Sequence, residues 1–96
     1  MSTEIELEIA TNLINLILSG GNKIAVNDGE DCVLFNATST KQVLSKLRST
    51  GNDFLIMTGQ DGQSKGQFQL IWGNGRDVIS NFTDNDYCNA LFDAIN

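Results

Sequence analysis

Two glycine turn signals divide this chain into short segments, and they restrict its fold more than any other feature. Asn27-Asp28-Gly29-Glu30-Asp31 lies between the apolar runs Lys23–Val26 and Cys32–Phe35. Gly73-Asn74-Gly75-Arg76 lies between Gln67–Trp72 and Asp77–Phe82. Asp-Gly and Asn-Gly pairs supply the positive φ that tight hairpins need, so each signal predicts two adjacent antiparallel strands. Asp53–Thr58 is a nearly continuous apolar run and is expected as a central strand. Gly59–Gly66 is polar and glycine-rich and is expected as a loop. That makes five strands.

Three helices are expected around them. Residues 4–19 carry Ile5, Ile9, Leu13, Leu16 and Ile17 at helical spacing, behind a Thr3–Glu6 capping pair and ahead of Gly20-Gly21. The strict acidic–apolar alternation of Glu4–Ile9 is also a strand signal, but length and caps favour helix. Ser39 and Gln42 form a second capping pair, opening a helix with Val43, Leu44 and Leu47 on one face and Lys41, Lys46 and Arg48 on the other. Thr83 is expected to cap a third helix, Asp84–Ile95, with Tyr87, Leu91 and Ile95 as its stripe and Cys88 and Phe92 beside it. The order αββαβββα implies an α+β two-layer sandwich, in which a mainly antiparallel five-stranded sheet carries its helices on one face. The 96 residues make a single domain, residues 1–96.

The inventory for chemistry is poor. Histidine is absent, which removes the usual general base and a common zinc ligand. The two cysteines, Cys32 and Cys88, are too few for a four-cysteine metal site and are expected as buried thiols rather than a disulfide. Gly59–Gly62 and Gly73–Gly75 lack the lysine and following helix of a phosphate loop. The acidic stretches do not continue as a calcium loop. No catalytic residue, metal or cofactor is expected. No apolar run approaches the roughly 18 residues of a membrane span. Three glutamates stand where a secretory signal needs basic residues, so a cytoplasmic location is expected.

Twelve acidic residues against six basic ones give a net charge of −6. Direct binding to nucleic acid or to an anionic membrane is therefore disfavoured. A partner with a basic surface is the positive reading, and simple solubility is the plain one. Turns and helix starts favour carboxylates locally. The candidates for partner contact are Asp28, Glu30, Asp31, Asp61, Asp84 and Asp86, provided that they gather on one face.

The segment Trp72–Asn85, Trp-Gly-Asn-Gly-Arg-Asp-Val-Ile-Ser-Asn-Phe-Thr-Asp-Asn, resembles the ending of short proteins encoded by phages, plasmids and other mobile elements. The small acidic chain as a whole resembles anti-CRISPR proteins, some of which inhibit a multi-subunit surveillance complex as DNA mimics. The resemblance implies a phage-encoded inhibitor in the bacterial host cell. Such an inhibitor would occupy a basic protein or nucleoprotein complex and block target DNA binding. The alternative is an interaction or immunity-type module, for which an exposed strand edge offers a route to a homodimer.

Overall fold

A computed structural model describes residues 2–95. Its elements are α1 (Ser2–Ser19), β1 (Lys23–Asn27), β2 (Cys32–Ala37), α2 (Thr40–Ser45), β3 (Asn52–Thr58), β4 (Ser64–Ile71), a 3₁₀ turn (Gly75–Asp77), β5 (Ile79–Phe82) and α3 (Asp86–Ile95). The strands form one antiparallel sheet in the order β2-β1-β3-β4-β5. The expected α+β architecture is the one observed, and β3 is central as its apolar run predicts. Among the described residues, no helix is long and apolar enough to cross a membrane.

Strand alternation divides the sheet into two unlike faces. Ile24 and Val26 of β1, Asp53, Leu55 and Met57 of β3, and Phe68 and Leu70 of β4 are buried on one face. The helices cover that face. α1 contributes Ala10, Leu13, Ile14 and Ile17, α2 contributes Val43, and α3 contributes Cys88 and Leu91. Each such Leu, Ile or Phe is worth about 1.5–3 kcal/mol over its exposed state. Phe68 stacks on Phe82 at 5.1 Å and Phe82 on Phe92 at 4.9 Å, which joins β4 and β5 to α3. Cys88 is buried and Cys32 half-buried, and both are free thiols. Burial pushes the Cys88 thiol and the Tyr87 phenol above their ordinary pKa values.

Several local expectations need correction. The buried stripe of α1 is rotated, because Ile14 is fully buried while Leu16 is 37% exposed. The 73–76 turn is not a tight two-residue hairpin. Gly73, at φ +101°, leads into the 3₁₀ turn, β5 starts only at Ile79, and the Ile71 N–H donates to the Val78 carbonyl at 2.8 Å.

The cause lies in α1. The Glu6 carboxylate is only 2% exposed. It accepts from the Gly73 N–H at 3.0 Å and the Gly75 N–H at 2.6 Å, which draws the loop onto the helix. Glu6 is therefore a tertiary clasp. The other half of the expected capping pair, the Thr3 side chain, lies outside the described side chains.

Thr83 is not the cap of α3. Its N–H and hydroxyl pair with Gln67, extending the contact of β5 with β4. Asn85 is the cap, with Oδ1 accepting from the Cys88 N–H at 2.7 Å. The Ser39 cap of α2 is as expected, accepting from the Gln42 N–H at 3.4 Å. β4 starts at Ser64, earlier than its sequence pattern indicates, because the β3–β4 connection closes within Gly59–Gln63.

Candidate protein-binding surface

The six acidic candidates fall into two separate groups. Asp28, Glu30 and Asp31 form the β1–β2 tip, beside the start of β3, where the Thr50 hydroxyl donates to the Asp28 carbonyl at 2.8 Å. Asp28 Oδ1 accepts from the Glu30 and Asp31 N–H groups at 3.0 and 2.9 Å. Those two bonds hold the Asp28 carboxyl below the usual carboxylate pKa, so it keeps its charge as the pH falls.

Asp61 sits in the turn that follows β3, where its Oδ1 accepts from the Gln63 N–H at 3.0 Å. Asp84 and Asp86 follow β5 at that same end, since β5 and β3 both run antiparallel to β4. Six residue steps of β3 separate the two ends, about 20 Å at the rise of an extended strand. Glu4, Glu8 and Asp77 stand at the tip's end of the sheet, because the first turns of α1 are clasped to Gly73 and Gly75 through Glu6.

A second buried carboxylate lies at that end. Asp53 is fully buried. Its Oδ2 accepts from the Trp72 indole N–H at 2.7 Å and the Arg48 backbone N–H at 2.8 Å, while its Oδ1 has no protein partner. The Arg48 guanidinium lies 5.9 Å from the centroid of the Trp72 ring. Arg48 adopts φ +70°, a left-handed conformation that the Asp53 acceptor helps to hold. This is a structural clamp between β3, the α2–β3 loop and Trp72. Neither Asp53 nor Glu6 stands out in sequence, because one reads as a strand start and the other as a helix cap.

The surface that the sequence reading missed is the other face of the sheet. No helix covers it. Strand pairing arranges it in rows: Asn52 beside Ile71; Asn27, Phe54, Gln69 and Asn81 in line; Ala25, Ile56 and Gln67 in line; and Lys23 beside Thr58. The two middle rows carry no charged side chain, although the chain carries −6 overall. Phe54 and Ile56 are half-buried between their neighbours. Two depressions of about 180 and 250 Å³ mark the face, and both are lined by Phe54 and Gln67. The available signal was the alternation inside Asp53–Thr58, where Phe54 and Ile56 are out of phase with Leu55 and Met57.

The sheet edges are less suited to pairing. β5 has four residues, and β2 is irregular against β1, with Asn36 at φ +49°. Short and bulged edges resist strand addition. Phe35 of β2 is nevertheless 71% exposed. Among the described residues, no group of three or more His, Cys, Asp or Glu side chains is placed to hold a metal ion. No protein-family model, curated protein or solved structure matches the chain.

Proposed function

We propose that this chain is a non-catalytic binding module that engages another protein through the uncovered face of its sheet. The observation that carries this reading is the charge-free field centred on Phe54 and Ile56, on a molecule whose sheet ends and helices α1 and α3 are acidic. Uncharged centres with apolar anchors and amides are what protein interfaces bury, and charges are tolerated at their rims.

A second reading keeps the acidic inhibitor of a bacterial surveillance complex. It rests on the gathering of Glu4, Glu8, Asp28, Glu30, Asp31 and Asp77 at one end of the sheet. In that reading Asp61, Asp84 and Asp86 belong to a separate patch.

Substitution separates the two. Ile56→Lys places a charge in the centre of the face without entering the core. It is expected to abolish partner capture in an affinity pull-down and to leave the thermal midpoint within a few degrees of the parent. Glu30→Lys with Asp31→Lys alters only exposed tip side chains, and the face reading expects capture to be weakened at the rim but not abolished. Loss of capture in the tip variant, intact capture in Ile56→Lys and a steep decline with added salt would transfer the function to the acidic end.

A further inference from the structure

We propose that the partner of this face is a second copy of the chain, docked face to face about a two-fold axis that crosses the strands. The inference rests on the preceding reading of the face as a binding surface and names its occupant.

A two-fold interface sets one patch against itself, so the patch must be self-complementary. A patch with a large net charge fails that requirement, because the two copies then repel each other. Carboxamides satisfy it, since each carries both donors and an acceptor. The face meets this condition in its two middle rows, where Gln67 and Gln69 flank Phe54 and Ile56. An axis running between those rows places Phe54 of one copy over Ile56 of the other. The glutamines then meet glutamines.

The direction of the axis follows from charge. β1 begins with Lys23, which alternates with buried Ile24 and therefore stands on the open face, opposite Thr58. The acidic tip follows directly after its other end. Five residue steps lead from Lys23 to Asp28, about 17 Å along an extended strand. An axis parallel to the strands would lay the tip's end of one sheet, with its carboxylates, over the same end of the other. An axis across the strands reverses one β1 over the other and brings Lys23 of each copy towards Asp28 and Glu30 of its mate. Only this arrangement makes the rim attractive twice over.

The footprint is small. Five strands at about 4.8 Å spacing and about 20 Å length give on the order of 500 Å² in flat projection per copy. Interfaces at the low end of the size range are weak, so a concentration-dependent dimer is expected, with dissociation in the micromolar range.

Sedimentation equilibrium or light scattering tests the proposal up to ~500 µM, well above such dissociation constants. The parent is expected to approach twice the protomer mass, and Ile56→Lys is expected to remain at the protomer mass. Lys23→Glu and Glu30→Lys are each expected to weaken the dimer by about threefold or more, in line with partly exposed ion pairs. The double variant Lys23→Glu/Glu30→Lys restores the opposite charges and is expected to return to within about twofold of the parent. Failure of that rescue would overturn the crosswise axis.

A parent that stays at the protomer mass throughout, while Ile56→Lys still abolishes capture of another protein, overturns the second copy as occupant and leaves the face reading standing. A monomeric parent whose capture is indifferent to Ile56→Lys overturns both.

Discussion

Phe68→Ala is expected to cost about 3–5 kcal/mol, the range for removing a fully buried aromatic side chain. Phe68 has no exposed surface, and its ring stacks on Phe82, which in turn stacks on Phe92. The substitution therefore empties the middle of the contact between sheet and α3. A domain of this size has total stability on the order of 5–15 kcal/mol, so the loss is a large part of the whole. In urea unfolding the midpoint should fall sharply with little change in slope. Phe54→Ala, on the uncovered face one strand away, is the internal control. Its expected cost is under about 1.5 kcal/mol, because Phe54 is half-buried and leaves no enclosed cavity. Equal costs for the two would mean that the two sheet faces had been assigned wrongly.

The second large effect concerns Asp53. Asp53→Ala leaves the Trp72 indole N–H and the Arg48 backbone N–H without their acceptor. Both donors are partly buried, and each costs about 1–3 kcal/mol when stranded, so a loss of about 2–6 kcal/mol is expected. Trp72 is the only tryptophan in the chain, so its emission reports on this site alone. Release of the indole should shift that emission to the red and relax Arg48 from its left-handed conformation. Asp53→Asn keeps one oxygen acceptor and should retain more stability than the alanine variant. Unchanged emission together with a loss under about 0.5 kcal/mol would refute the clamp, since so small a loss is that of an exposed side chain.

The architecture was legible because its signals are local. Asp28-Gly29 marks a hairpin whatever surrounds it, and the periodicity of α3 identifies its buried side, whereas α2 ends at Ser45, short of the Leu47 and Arg48 expected on it. The misassignments share a different origin. Glu6 reads as a helix cap from its neighbours, yet its carboxylate serves Gly73 and Gly75, 67 and 69 positions away. That long-range clasp also explains why the Asn74-Gly75 pair does not make the tight turn that its chemistry allows. Thr83 was taken from capping the next helix by its pairing with Gln67. Leu16 and Ile14 exchanged roles because a one-residue rotation of α1 depends on what it packs against.

The candidate site was less legible still. Sequence separation hides that Asp28–Asp31 and Asp84–Asp86 lie at opposite ends of the sheet. The charge-free middle of the face is a property of strand order, since Ala25, Ile56 and Gln67 become one row only when β1, β3 and β4 are adjacent. Net charge drew attention to the carboxylates, and their absence from one surface is visible only in three dimensions.

The most direct measurement of the central claim is a series of backbone amide NMR spectra recorded at increasing protein concentration. Self-docking through the open face predicts shifts and broadening that grow with concentration. They should be concentrated on Ala25, Phe54, Ile56, Gln67 and Gln69, with a smaller response at Lys23 and Glu30 and none along the outer side of α1. Concentration-dependent changes confined to the helices, or to the Asp28–Asp31 tip with the middle rows of the sheet silent, would contradict it.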